Sequence, residues 1–321
     1  TRTIRRISVL PGHTTKGLTI WPLEIAEVSD PTDYLSTGEA LEEELLVLTE
    51  KGGGSVPVLL AENRGGRPIL MLAGEIVAGG KQNRILKEDV LLPRRSGKVE
   101  LPVLCVERGR WSGRGAKFGA NPGTAALKVR AGAQMGMAQR EIWSSVSHYQ
   151  HSLNVDSRTE DLLTVQSSVE VRKAVDEYRA KFCERWRPAG VGMIVARYGR
   201  IVGADIFCNH ALFRKHRDRL LESYAVDCYA WRSESGRRRH VVPDRGAAQR
   251  FLRRVLRAEY QWRGTPGIGR LLAVQGAGMD GQALVHRDVA LHAGLFARDV
   301  IIIQPAPVPP VPRIQGQLQM D

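Results

Sequence analysis

The sequence predicts an α+β fold in which two mainly antiparallel β-rich regions surround central long helices. Over residues 1–111, short β-type runs are joined by close turns, and such short connections exclude parallel crossovers. The apolar period then becomes helical over 124–186. A β-α-α-β order follows over 190–303, so strands and helices are segregated along the chain, as in α+β proteins.

Each element in the first β-rich region has its own signal. The strands are apolar runs bounded by Gly, Pro or Asn turns, and residues 34–44 are expected to form a short helix or loop. Residues 109–123 are rich in Gly and polar side chains, which predicts an ordered loop. The predicted strands are 4–10, 18–26, 45–49, 56–62, 68–72, 82–86, 90–92 and 99–106.

Two long helices are expected next. Few helix breakers occur over 124–153, which predicts one continuous helix there. The sequence Ser157-Arg158-Thr159-Glu160 matches a capping box, which predicts a second helix from Ser157 to about Trp186.

The last region begins with a predicted hairpin over 191–207, whose turn is Arg197-Tyr198-Gly199-Arg200. A helix over 211–231 follows, and Asp244 is the expected N-cap of another that continues to about Glu259. Four strands are predicted to complete the fold, at 269–275, 281–286, 289–296 and 300–303.

These elements predict a single domain over 1–303 and an exposed proline-rich tail over 304–321. Repeated prolines favour an extended polyproline conformation and cannot join the centre of a sheet. No run of 18 apolar residues exists, so no membrane span is predicted. The four cysteines form no CxxC pair and are expected to be buried thiols of a cytoplasmic protein.

The chain is strongly basic, with 47 Lys and Arg against 34 Asp and Glu, which favours anionic partners. Arg250, Arg253, Arg254 and Arg257 recur at helical spacing on one side. Nucleic acid is therefore one candidate partner, but no helix-turn-helix, RNA-recognition or zinc-finger pattern accompanies these residues. A solvated face or a contact with an acidic protein is the preferred interpretation of this cluster.

Residues 72–111 carry the densest group of polar side chains among predicted strands. Gln82 and Asn83 can both donate and accept hydrogen bonds, and Arg84 can hold a carboxylate or phosphate with two parallel bonds. About twenty residues on, a strand leads to Glu107, Arg110 and Trp111, which suit charge pairing and ring stacking. We predict Gln82, Asn83, Arg84, Arg110 and Trp111 as ligand-binding residues.

The chain resembles the ARPP family, the ARG- and rhodanese-phosphatase-superfamily-associated proteins. The resemblance rests on GEIVAGGKQNRIL, LPVLCVERGRW, GRIVGADIF and ALHAGLF, and it extends over about residues 5–297. It implies a role around ADP-ribose or NAD metabolism, because the family name reflects genes beside ADP-ribosylglycohydrolases. The family supplies no established catalytic residues. Seven residues are therefore motif positions only, namely Glu75, Gln82, Asn83, Arg84, Glu107, Arg110 and Trp111.

Glu75 and Glu107 are the candidate catalytic residues, as an acid and base for glycosidic bond cleavage. The preferred alternative is an internal network of ion pairs with Lys81, Arg84 and Arg110, because perturbed carboxylates also occur in structural networks. Whether the protein is an enzyme is left open.

Other polar groups predict no further chemistry. Cys105 lies mid-strand with no histidine close in sequence, which favours a buried thiol over a nucleophile. His148 and His151 have the spacing of two metal ligands, but no metalloprotein signature surrounds them. We therefore predict neither a metal site nor a cofactor.

The functional hypotheses are three. In the first, the protein binds or processes a nucleotide-like anion such as ADP-ribose through the segment Glu75 to Arg84. In the second, it is a structural or assembly protein that forms homo-oligomers or a complex with a protein partner. In the third, it binds nucleic acid without sequence specificity.

Overall fold

A computed structural model describes residues 5–26, 30–55, 57–111, 117–235 and 240–300. These residues form a nine-stranded antiparallel sheet, a closed six-stranded barrel and a three-stranded sheet. Helices pack against the large sheet in the main hydrophobic core. The chain is therefore an α+β protein, as the sequence predicted.

The strands are mostly short and antiparallel. The first half of the chain contains β1 (Ile7–Val9), β2 (His13–Thr15), β3 (Leu18–Ile25), β4 (Leu35–Ser36), β5 (Leu46–Ser55), β6 (Val58–Asn63), β7 (Ile69–Met71), β8 (Glu75–Gly79), β9 (Arg84–Leu86), β10 (Val90–Leu92), β11 (Lys98–Cys105) and β12 (Lys117–Thr124). The second half contains β13 (Gly190–Arg197), β14 (Arg200–Phe207), β15 (Glu259–Arg263), β16 (Arg270–Gly276), β17 (Met279–His286) and β18 (Val289–Ala297).

The helices separate the two groups of strands and follow the hairpin β13–β14. They are α1 (Thr37–Glu42), α2 (Leu127–Gln134), α3 (Gln139–Leu153), α4 (Leu162–Ser167), α5 (Val169–Phe182), α6 (His210–Ala230), α7 (Arg232–Ser235) and α8 (Arg245–Arg254). Single turns of 3-10 helix lie at Cys183–Arg185, Val255–Arg257 and Arg298–Val300. No helix in these segments is both long and apolar enough to cross a membrane.

The barrel closes in the order β11-β6-β5-β12-β8-β9. Alternate residues of its strands, such as Leu46 and Leu48 on β5 and Leu101 and Val103 on β11, share one buried hydrophobic cluster. This alternation follows from the two-residue period of a β-strand, which places every second side chain on the same face. The interior of the barrel is thus a packed apolar core along most of its length.

The large sheet runs in the order β1-β3-β13-β14-β18-β17-β16-β15, with β2 paired to β3. The predicted hairpin at its centre is confirmed, because Tyr198 and Gly199 both have positive φ angles, of 45° and 81°. That backbone geometry matches the right-handed twist of the strands that it joins. The predicted helix over 211–231 is confirmed as α6.

Strand β12 corrects the prediction of a loop over 109–123. Residues 117–124 pair with β5 and β8 and close the barrel, with two shifts of register along β8. Gly, Asn and Pro give this segment a low intrinsic β-propensity, so its conformation is set by the neighbouring strands instead. Residues 112–116 of the predicted loop lie outside the described part of the chain.

The two long helices that the sequence predicted are shorter in the structure. The first is split into α2 and α3, because Gly136, with a φ of 80°, follows the last turn of α2. The second begins only at Leu162, since Asp161 caps α4 and accepts a hydrogen bond from Leu163. Ser157 is not its N-cap, and its hydroxyl accepts instead from the Asp161 amide at 2.9 Å.

The C-terminal region holds one strand that the sequence did not predict. Asp244 caps α8 as expected, but α8 ends at Arg254, and Glu259–Arg263 forms the edge strand β15. The next three strands are confirmed as β16, β17 and β18. Residues 301–303 of the predicted last strand, and the proline-rich tail, lie outside the described residues, while Val300 ends a 3-10 turn.

A buried ionic network joins α2, the large sheet and the connection that precedes β10. Arg130 donates two hydrogen bonds to Asp205, at 2.7 and 3.1 Å, and Tyr224 donates a third at 2.8 Å. His292 lies 3.2 Å from Asp205 and 2.7 Å from Asp89. Burial alone would lower the pKa of His292, but Asp89 and Asp205 outweigh it and raise that pKa to about 9. His292 is therefore a cation between two carboxylates.

Candidate anion site at the barrel mouth

One end of the barrel, which we call the barrel mouth, is formed by the turn between β8 and β9. This turn needs glycine, because Gly79 and Gly80 have φ angles of 136° and 49°. A Cβ atom on Gly80 would lie 2.4 Å from the ring of Phe118 and 2.7 Å from the Glu50 carboxylate. The turn therefore lies directly against β5 and β12, and it places residues 81–84 at the mouth.

The segment that follows β11 is fixed to this turn by a buried ion pair. Arg110 donates through Nε to Glu107 Oε1 at 2.7 Å, and its Nη2 lies 2.6 Å from Oε2. The same guanidinium donates to the carbonyl oxygen of Gly80 at 2.8 Å. Such a two-point pair between Arg and a carboxylate fixes both orientation and distance.

Asn83 and Gln82 complete this network. The backbone amide of Asn83 donates to the carboxylate of Glu107 at 3.0 Å. The side chain of Asn83 donates to both carboxylate oxygens of Asp161 at 3.2 Å. Gln82 donates to the Glu107 carbonyl oxygen at 2.9 Å. Burial, followed by the charge of Glu107, raises the pKa of Asp161. Three predicted ligand-binding residues, Gln82, Asn83 and Arg110, thus form one hydrogen-bonded group with the catalytic candidate Glu107.

Arg84 lies next to this group and is fully buried. Its Nη1 donates to Gln82 at 2.8 Å, but its Nε and Nη2 have no hydrogen-bond partner among the described residues. Burial lowers the pKa of Arg84, and the nearby Cys105 and Glu50 oppose that effect. Two buried donors of a cation without acceptors are costly, because each has lost its hydration without replacement.

Glu50 is the member of this site that the sequence reasoning missed. It occupies the next inward position of β5 after Leu46 and Leu48, and one of its oxygens, Oε2, is buried without a hydrogen-bond partner among the described residues. The other oxygen accepts from the Lys81 amide at 3.0 Å. The alternation along β5 was the signal that could have identified it.

Trp111 lies beside the buried guanidinium and also reaches solvent. Its ring centroid is 5.9 Å from Arg84 Cζ and 5.1 Å from Lys81 Nζ, and the residue is 50% exposed. An exposed indole next to cations can stack on a planar ring as well as on a guanidinium. The barrel mouth therefore combines unsatisfied buried donors with an exposed aromatic face.

Glu75 lies apart from this group. It accepts from the Thr37 hydroxyl and from the Leu72 amide, the latter at 3.2 Å, and lies 3.5 Å from His216 Nδ1. Among the described residues, the hydrogen bonds and ion pairs of Glu75 include neither Glu107 nor Arg84. The structure thus places the two catalytic candidates in separate hydrogen-bond networks, and their acid–base roles stay a prediction.

The other residues considered for chemistry lie elsewhere. Burial raises the pKa of Cys105, whose thiol donates to the Glu107 carbonyl oxygen at 3.3 Å. Cys183 is exposed, so the prediction of buried thiols was wrong for this residue, which lies in a short 3-10 turn. In the described part of the chain, no group of three or more His, Cys, Asp or Glu side chains is placed to hold a metal ion.

The fold and site define an α+β protein with a six-stranded barrel whose mouth holds a buried, partly unsatisfied arginine. The family of ARG and Rhodanese-Phosphatase-superfamily-associated Protein domains matches residues 6–296, and the chain belongs to that family. No curated protein and no solved structure matches the chain.

Proposed function

We propose that the protein binds a nucleotide-like anion at the barrel mouth, with Arg84 as its central ligand. The observation that carries this proposal is the pair of buried donors, Nε and Nη2 of Arg84, that have no acceptor among the described residues. A phosphate or carboxylate can accept two parallel hydrogen bonds from one guanidinium. Such a ligand would satisfy both donors and offset the cost of burying them.

Trp111 supports a ligand that carries a planar ring as well as a charge. The indole lies over Arg84 and Lys81, so an anion that reaches the guanidinium must displace the ring and can then stack against it. ADP-ribose and NAD combine phosphates with an adenine ring, so both carry the two kinds of group that this proposal requires. Gln82 and Asn83 hold the turn in place, and Lys81 adds positive charge at the entrance.

The unpaired oxygen of Glu50, whose charge opposes the lowering of the pKa of Arg84 by burial, adds an acceptor to this site. A ligand with hydroxyl or amino groups next to its phosphate can therefore be held from both sides. Glu107 is placed differently, because Arg110, the Asn83 amide and the Thr159 hydroxyl occupy its two oxygens. In this proposal Glu107 fixes the turn of the barrel mouth.

Isothermal titration with ADP-ribose and with NAD tests the proposal. We expect binding by the wild type and at least a tenfold loss in Arg84→Met, because a hydrogen bond to a charged group contributes about 1.5–3 kcal/mol. Tryptophan emission should change on binding, and Trp111→Phe should remove that change. Arg108→Gln is the control, since Arg108 is an exposed neighbour that contacts Glu160 and Trp143 instead.

Two results would count against this function. One is the absence of heat with ADP-ribose, NAD, AMP and pyrophosphate at millimolar concentration. The other is an Arg84→Met variant that remains folded and binds as tightly as the wild type.

A second candidate function is assembly into a homo-oligomer through the edge strand β15. This strand lies at one end of the large sheet, and all five of its residues are exposed. Tyr260 and Trp262 lie two positions apart, hence on one face, with exposures of 39% and 47%. An open strand edge with aromatic side chains can pair with the same strand of a second copy. The segment Glu75 to Arg84 is mostly buried and offers much less surface for such contact.

Light scattering after size-exclusion chromatography tests this assembly. We expect a dimer at micromolar concentration that Trp262→Lys converts to a monomer. The introduced lysine is present in both copies, and the two charges repel each other across a twofold interface. Val169→Lys is the matched control, as Val169 is 77% exposed on a helix outside β15. A monomeric wild type, or equal dissociation by both variants, would exclude this interface.

A further inference from the structure

A cleft lined by arginines lies at the end of the large sheet, outside the barrel. It has a volume of about 890 Å³, between α8 with its following 3-10 turn and the ends of β14 and β18. Its guanidinium groups come from three separate segments of the chain. They belong to Arg200, Arg250, Arg253, Arg254, Arg257 and Arg298.

Three of these arginines are paired with carboxylates and three are not. Arg298 binds Asp280 through two hydrogen bonds of 2.8 Å, while Arg200 and Arg250 lie 3.8 and 3.7 Å from Asp299 and Asp244. The pairs of Arg200 and Arg250 are exposed on both sides, and such pairs contribute little in water.

The other three arginines, Arg253, Arg254 and Arg257, have no carboxylate partner within the described segments, and all three are exposed. Like charges gathered in one concave surface raise the local concentration of anions. The cleft therefore keeps a net positive charge that the chain itself does not neutralise.

The lining also limits what kind of anion the cleft can take. Among the described lining residues the single aromatic one, Phe251, is 2% exposed, so they offer no ring for stacking on bases. Binding of single strands depends on such stacking, whereas binding of a duplex can rest on its phosphates alone. The described lining contains no Asn or Gln, the side chains that read adenine with two hydrogen bonds, and we assign its arginines to phosphates rather than to guanine.

From this arrangement we propose that the cleft binds the phosphodiester backbone of a nucleic-acid duplex without sequence specificity. Arg253, Arg254 and Arg257 contact phosphates directly, and the three paired arginines border them. The sequence had favoured a solvated face for the cluster over 250–257. The structure adds Arg200 and Arg298 from distant positions and makes that cluster one wall of a cleft.

Fluorescence anisotropy with a labelled 20-base-pair DNA duplex tests this site. The logarithm of the binding constant is plotted against the logarithm of the salt concentration. Three phosphate contacts predict a slope of about −3 in this plot. The variant Arg253→Gln, Arg254→Gln, Arg257→Gln should bind on the order of a hundredfold more weakly at 0.1 M salt, with a slope near zero. Its melting temperature should match the wild type, because these side chains are exposed.

The control has the same change in charge at other exposed positions. It combines Arg94→Gln, Lys181→Gln and Arg185→Gln, none of which lines the cleft, and it should keep the wild-type slope. Equal weakening by both triple variants would overturn the proposal, because net charge alone would then explain binding. So would tighter binding of a single strand of the same sequence, or displacement of the duplex by stoichiometric tripolyphosphate.

Discussion

Asp205→Ala is expected to lower the free energy of unfolding by about 3–5 kcal/mol, because it leaves a fully buried cation without its partner. Arg130 is 1% exposed and donates two hydrogen bonds to this carboxylate. Tyr224 and His292 use the same two oxygens, so three donors lose an acceptor at once. Urea denaturation, followed by circular dichroism, measures the loss.

The control for this prediction is Asp33→Ala, which also removes a carboxylate bound by two cations. Asp33 contacts Arg67 and Lys215, but its side chain is 64% exposed, so water replaces the lost contacts. We expect its unfolding midpoint to stay close to that of the wild type. If Asp205→Ala were equally mild, the network would not be the ionic centre of the fold.

The sequence alone could not predict which buried charges pair with each other. Arg130 and Asp205 are 75 positions apart, and nothing local to either residue indicates the other. The tight turn at Tyr198 and Gly199, by contrast, is encoded within four residues and was predicted correctly. Local chemistry determined this hairpin and the cap at Asp244, although the predicted cap at Ser157 was wrong. Strand β12 and the long-range ion pairs depend on tertiary closure.

The candidate site was likewise predicted in part from local sequence, while other parts of it depend on tertiary packing. The composition of residues 72–111 predicted a dense polar group, and the structure brings Gln82, Asn83, Glu107 and Arg110 into contact. It separates Glu75 from that group, because the side chain of Glu75 is held by Thr37 and His216. Those two residues come from α1 and α6, whose packing no short motif describes.

Arg84 and Arg130, the most deeply buried arginines among the described residues, differ in how they are held, although Nε of Arg130 also lacks a hydrogen-bond partner there. Arg130 has a carboxylate, an aromatic ring on each side and a network that extends to His292. Arg84 has one amide acceptor and two donors without partners among the described residues. The first arrangement suits a residue that stabilises the fold. The second suits a residue whose partner arrives with a ligand, since binding sites are often built at a cost in stability.

This contrast leads to an expected gain of stability at the barrel mouth. The paired variant Glu50→Gln, Arg84→Met removes both buried charges and should raise the free energy of unfolding by about 1–4 kcal/mol in the absence of ligand. Arg84→Met alone should gain less, because it leaves the Glu50 carboxylate buried beside an apolar side chain. Urea denaturation without ligand measures both changes.

A rise or a fall in the free energy of unfolding distinguishes a buried arginine that binds a ligand from one that stabilises the fold. Arg130→Met serves as the reference, because it should lose stability where the barrel-mouth variant gains it. A loss of more than about 1 kcal/mol in the paired variant would mean that Glu50 and Arg84 stabilise the fold. A gain, together with loss of ADP-ribose binding, is what a site built for an anion requires, since the same two donors that destabilise the empty barrel mouth would bind the ligand.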